Sequence, residues 1–250
     1  MRRPASSIAA AIALALAANA ACAQAPAAAI SADSLRGHVA FLSSDLLEGR
    51  GTPSRGQDLA VEYIAAQFRR AGLEPVGDDG YFQTANWQYA ERKADDVAFS
   101  VTAGGSTITV PAGGVTGNFL DPLALAATPA VFMTWKDALA DSAAANGKVL
   151  VVPAAPVPGA ARTLQEKIKG KPALIVLIDR EKRHGAGTGG WLIDPEQAVV
   201  KGAAPVLVLN AADAAAVLEK GGATVTARVA APALRQVKLR NVAGVLRGSD

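Results

Sequence analysis

Lys148-Val149-Leu150-Val151-Val152 and Ala173-Leu174-Ile175-Val176-Leu177-Ile178 are short apolar runs, each bounded by Gly, Pro or a charged residue. Val, Ile and Leu follow one another without polar alternation, as in strands covered on both faces. Runs of the same texture recur at 130–133, 205–209 and 223–229, and helical stretches near 160–169 and 211–220 interleave with them. Short buried strands alternating with helices define an α/β arrangement. Residues 118–232 therefore read as a compact α/β module able to fold alone, closed by the run at 223–229.

Before this module the texture differs. Residues 31–47 carry Leu35, Val39, Leu42 and Leu46 at helical spacing, with Asp33 and Ser34 as capping candidates. Gly49-Arg50-Gly51-Thr52-Pro53 interrupts that pattern. A second helix is expected over 57–71, with Ala60, Tyr63, Ile64, Phe68 and Ala71 on one face and Arg69 and Arg70 in its last turn. Gly72 supplies the left-handed stop, and Leu73 the apolar residue that packs back on it. From Tyr81 the period changes to two. Val97, Phe99 and Val101 alternate, Gly104-Gly105 turns the chain, and Ile108 and Val110 alternate again, which predicts a hairpin. At the other end Asn241-Val242-Ala243-Gly244-Val245-Leu246 predicts one more strand over 240–246, followed by a Gly-Ser-Asp turn. A core strand so close to the end of the sequence suggests a domain whose remaining elements lie elsewhere.

The 250 residues are 50% hydrophobic and 19% charged, which excludes intrinsic disorder. A net charge of +3, scattered along the chain and without interleaved aromatics, gives no footprint for nucleic acid. Arg2 and Arg3 precede 11 uninterrupted apolar residues at 8–18, too few to span a bilayer, which takes about 20. Ala21-Cys22-Ala23 then supplies small residues for cleavage, so 1–23 reads as a secretory signal peptide cut before Gln24. A lipoprotein reading would anchor Cys22, but Asn19 stands where an aliphatic residue is expected. Cleavage removes the only Cys and lowers the formal charge from +3 to +1. The expected destination is the periplasm or the exterior, with no disulfide to help the core.

Candidate chemistry is sparse. The sequence has two His, His38 and His184, 146 positions apart. His38 borders an apolar helix stripe and reads as a boundary residue with one hydrogen bond. His184 follows Arg180-Glu181-Lys182-Arg183 and reads as a solvated loop residue. A catalytic zinc takes three protein ligands, and neither H-E-x-x-H nor H-x-D occurs. Gly185-Ala186-Gly187-Thr188-Gly189-Gly190 is Gly-rich, but Trp191-Leu192-Ile193-Asp194-Pro195 does not open a helix after it, so no dinucleotide loop is expected. The glycines around Ser54 stand at the wrong offsets for a nucleophile elbow. Asp45 and Glu48 have the spacing of a carboxylate pair, but beside Arg50 a local ion pair is the expectation. No catalytic, cofactor-binding or metal-ligating residue is assigned.

Three blocks carry a resemblance. They are residues 39–52 (VAFLSSDLLEGRGT), residues 60–75 closing on Arg70-Ala71-Gly72-Leu73-Glu74-Pro75 with Gly80-Tyr81-Phe82-Gln83 after it, and residues 240–250. Together they resemble the opening of secreted zinc aminopeptidases of the glutamate carboxypeptidase and transferrin receptor family, in which a protease-associated domain is inserted. Residues 24–30 read as a linker after the cleavage site, and the resemblance implies the N-terminal part of a peptidase domain at 31–117, comprising two helices and a hairpin. It further implies a protease-associated domain at 118–232 and a re-entry strand at 236–250. The implied fold class is α/β: an incomplete zinc-exopeptidase domain interrupted by the inserted module. In the family two zinc ions activate a water for peptide hydrolysis. Its ligands begin at an H-x-D motif just after the re-entry strand, so none maps onto this sequence and Asp250 takes no such role. The chain itself is expected to bind no zinc. The alternative is a secreted, non-catalytic module that binds peptides or a protein partner.

Overall fold

The computed structural model describes residues 30–154, 159–181, 190–193 and 202–248. The segment read as a leader, His184 and the glycines at 185, 187 and 189 lie outside them. The fold is mixed α/β. Two compact units divide the chain, one formed by residues up to Thr84 together with those from Arg240, the other by Ala85–Leu239.

In the first unit, α1 (Ala32–Leu42) starts at Ser31, whose Oγ accepts the Ser34 N–H at 3.0 Å. The helix ends sooner than its apolar spacing predicts. A 3-10 turn, Asp45–Arg50, replaces the last turns, and the backbone takes positive φ at Glu48 (49°), Gly49 (73°) and Arg50 (57°). Leaving the helix turns Leu46 to solvent, 85% exposed, and buries Leu47 in its place. α2 (Arg55–Arg70) is capped by Ser54, whose Oγ accepts the Gln57 N–H at 3.1 Å. Its buried residues are Gly56, Ala60, Val61 and Ala65, while Tyr63, Ile64 and Phe68 are half-buried and Ala71 is exposed. The packed face is therefore rotated towards smaller residues, because α2 lies close against the 3-10 turn. A Cβ at Gly56 would come within 1.7 Å of the Leu47 carbonyl oxygen, which is backbone and unable to yield. Gly56→Val is expected to destabilise this unit by about 3 kcal/mol, seen as loss of hydrogen-exchange protection along α2.

Gly72, at φ 75°, ends α2 as expected, with the Leu73 N–H returning to the Phe68 carbonyl at 3.1 Å. β1 (Glu74–Pro75) follows, and then β2 (Phe82–Glu91) carries the chain out of this unit. Its return is through β12 (Ala233–Val242) and β13 (Gly244–Val245). The single strand expected over 240–246 is thus two, interrupted at Ala243, whose N–H donates to the Tyr81 carbonyl at 2.8 Å. β13 pairs antiparallel with β1, and Gly244 is tight against Phe68 and Leu73, where a Cβ would meet their side chains at 2.9 and 3.2 Å. Arg240 bonds Glu62 at 2.6 Å, Arg247 bonds Glu74 at 2.7 Å, and Gln57 donates to the Arg240 carbonyl at 3.2 Å. Early and late sequence form one folded unit.

The second unit is built on an eight-stranded mixed sheet. In chain order its strands are β3 (Val97–Ala103), β4 (Ser106–Val110), β5 (Val115–Thr116), β6 (Leu123–Phe132), β7 (Val149–Pro153), β8 (Leu174–Ile178), β10 (Val206–Leu209) and β11 (Thr224–Val229). Their spatial order is β4-β3-β11-β6-β7-β8-β10-β5, with β6, β7, β8 and β10 parallel. A separate small sheet orders β12, β2 and β9 (Trp191–Ile193). Among the described residues three α-helices accompany the large sheet: α3 (Trp135–Ala140), α4 (Ala160–Lys167) and α5 (Ala212–Lys220).

The unalternating runs have the predicted cause. Val149 and Val151 of β7 and Leu174, Val176 and Ile178 of β8 face one core with Ala214, Ala215 and Leu218 of α5. Leu150 and Val152, with Ile175 and Leu177, face the opposite core with Ala138 of α3 and Leu164 of α4. β11 departs from this pattern. Buried Val225, Ala227 and Val229 alternate with less buried neighbours, because only one of its faces is covered.

The hairpin forms as predicted, β3 against β4 from Phe99↔Val110 to Ala103↔Ser106. The sequence reading grouped it with the N-terminal helices, and the structure pairs it with β11, Val101 opposite Val225. It belongs to the second unit, and residues 118–232 leave out three strands of that unit's large sheet, β3, β4 and β5.

Candidate functional site

His38, the one described histidine, sits on α1 with its Nδ1 2.8 Å from the Tyr63 hydroxyl of α2. Phe41 stacks on the same Tyr63 ring, 4.3 Å between centroids. These contacts join two helices, and the boundary reading of His38 holds. Asp45, Glu48 and Arg50 do not form the expected ion pair. Positive φ at 48–50 destroys the helical spacing that would align them, and all three side chains are exposed. Ser54 is committed to its helix cap. Gly190 lies against the Tyr89 ring, which a Cβ would strike at 2.1 Å, so this end of the Gly-rich stretch serves the packing of β9 on β2.

Among the described residues there is no group of three or more His, Cys, Asp or Glu side chains placed to hold a metal ion. They do not supply a donor set for zinc, and no hydrolytic step through a metal follows from them. No helix among them is long and apolar enough to cross a membrane.

Two polar places stand out, both in the second unit. One is at the carboxyl ends of the parallel strands, where open α/β sheets commonly receive ligands. Asp179 follows β8 and is buried, its N–H donating to the Leu209 carbonyl at 2.9 Å. Asn210 follows β10, its N–H donating to the Gly114 carbonyl at 2.8 Å. The Asn210 side-chain amide is buried without a hydrogen bond among the described residues.

The other place is Arg92, just past the end of β2 and only 6% exposed. Its Nε donates to the Ala230 carbonyl at 2.9 Å, and Nη1 and Nη2 donate to the carbonyls of Gly117 and Phe119, both at 2.7 Å. The guanidinium also lies over the Phe119 ring at 4.9 Å and the Trp191 ring at 5.3 Å. Burial pushes its pKa below the ordinary arginine value, and the charge of Asp96 opposes that shift. Beside it opens a shallow recess of about 20 Å³, lined by Lys93, Gly113, Thr116, Asn118 and Trp191 among others. Sequence reasoning passed over Arg92. Glu91-Arg92-Lys93 reads as an exposed charge run, and only the long-range arrangement of three carbonyls and two rings distinguishes it.

No protein-family model matches the sequence, and no curated protein matches it. Solved structures similar to the chain include aminopeptidases. An aminopeptidase from Aneurinibacillus sp. strain AM-1 aligns over 84% of this chain and 46% of its own, at 14% identity and a TM-score of 0.47. BSAP, a zinc aminopeptidase from Bacillus subtilis, aligns over 81% of this chain and 44% of its own, at 12% identity and a TM-score of 0.33. A medium-resolution structure of BSAP aligns over 85% and 47%, at 13% identity and a TM-score of 0.38. The chain spans less than half the length of these proteins. Likeness at this level assigns no residue and no reaction.

Proposed function

We propose that this chain is the N-terminal, non-catalytic portion of a secreted or periplasmic zinc metallo-aminopeptidase acting on peptides. Residues 118–232 would then belong to a protease-associated module inserted into the peptidase domain. The observation that carries this reading is the path of the chain. Residues before Thr84 and after Arg240 make one unit, and everything between makes another. That is the topology of an insertion, and it matches the domain order implied by the resemblance of residues 39–52, 60–83 and 240–250.

The surface of the first unit supports the same reading. Ile30, Leu35, Val39, Phe41, Leu46, Leu59, Val76, Val245 and Leu246 are exposed there, and the second unit adds only Leu234 among the described large apolar side chains. α1 buries no residue at all, and among the described residues β13 pairs with β1 alone. A peptidase domain would cover these groups with further strands and helices. Exposed apolar surface of this kind usually marks something that binds over it.

The reading frame continued past codon 250 tests the proposal. Its product is expected to carry an H-x-D motif followed by a Glu-Glu pair, to bind zinc, and to hydrolyse a leucine anilide in a chelator-sensitive way. A genuine stop in clean sequence would overturn it in favour of a non-catalytic module that binds peptides or a protein partner.

A further inference from the structure

We propose that the recess beside Arg92 is a binding site for one small carboxylate. A guanidinium has five N–H donors, and Arg92 directs three hydrogen bonds at the carbonyls of Ala230, Gly117 and Phe119. Two N–H groups are left over. Among the described residues no carboxylate lies within hydrogen-bond distance of the guanidinium. Backbone carbonyls and aromatic faces stabilise a buried cation by dipoles and quadrupoles, and its full charge calls for an anion. The nearest acid, Asp96, already accepts the Lys93 backbone N–H at 2.8 Å.

The recess is suited to that role. Arg92 and Lys93 bring two cations to it, one buried and one exposed. Asn118 and Thr116 add polar side chains, and Trp191 forms an apolar wall. A carboxylate matches the planar N–H pattern of a guanidinium, whereas a spherical anion does not. At about 20 Å³ and open to solvent, the recess takes a single carboxylate group, with the rest of the acid or chain left in solvent. Two sources share this chemistry: a free small carboxylate, and the carboxyl terminus of a peptide.

The test uses the whole chain. Acetate, a blocked dipeptide free acid and the matching dipeptide amide are titrated at constant ionic strength, following Trp191 emission with Trp191→Phe as the signal control. Both acids are expected to saturate with Kd values of about 1 mM or below, and the amide is expected to give no response. Tighter binding of the dipeptide acid than of acetate identifies a peptide terminus; equal binding identifies a free small carboxylate. Lys93→Gln changes an exposed side chain and is expected to raise Kd by about fivefold with an unchanged melting temperature. Arg92→Gln is expected to abolish the response. Absence of saturation with either acid, equal binding of the amide, or an unchanged Kd in Lys93→Gln would overturn the proposal.

Discussion

A fragment of residues 85–239 is expected to melt cooperatively, whereas residues 118–232 are expected to lose the cooperative transition. The shorter fragment lacks β3, β4 and β5, and with them Phe99, Val101, Val110 and Val115 from the core against which β11 and α5 pack. β11 would become a bare edge, its six-residue register with β3 lost. The shorter fragment also lacks Arg92, so the carbonyls of Phe119 and Ala230 lose their donor. A hydrogen bond to a charged group contributes about 1.5–3 kcal/mol, so these two losses add to that of the core contacts against a small domain's stability of about 5–15 kcal/mol. Circular dichroism melts of the two fragments decide this, and equal midpoints would refute it.

Leu150→Ala is expected to destabilise the second unit by about 2–5 kcal/mol. Leu150 is fully buried in β7, between the parallel neighbours β6 and β8, within the core shared with α3 and α4. Neighbours on both sides are held by sheet hydrogen bonds, so the cavity has little means to collapse. Urea denaturation should show a lower midpoint with the slope kept. Lys136→Ala, on the exposed face of α3, serves as the control and should shift the midpoint by less than about 0.5 kcal/mol.

These two expectations follow the division between what the residues disclose and what they conceal. β7 and β8 are legible because burial on both faces writes itself as an unbroken apolar run. The end of α2 is legible because Gly72 and Leu73 form a local motif, and the β3–β4 hairpin because Gly104 and Gly105 permit the positive φ that its turn uses. Partners distant in sequence are not legible. Val101 meets Val225 across more than 120 positions, and no period in the chain records that choice. The same holds for Arg92, whose acceptors come from two distant segments. Leu35, Val39 and Leu46 mislead in the opposite sense. Their spacing predicts a buried stripe, yet all three are exposed, as expected where the surface that would cover them is not supplied by the described residues. Of the candidate chemistry, His38 reads correctly because one bond to Tyr63 explains it. The Asp45–Glu48–Arg50 cluster reads wrongly because a helix was assumed through residues where the backbone turns left-handed.

The two units differ in what they carry. The second unit has its own covered sheet and the Arg92 recess. The first unit joins early and late sequence through β1, β13 and the ion pairs of Arg240 and Arg247, and carries exposed apolar side chains.

The most direct measurement is the zinc content and leucine-anilide turnover of purified residues 24–250. The proposed division of labour predicts no stoichiometric zinc and no turnover from this portion alone. Bound zinc accompanied by turnover that a chelator abolishes would contradict it.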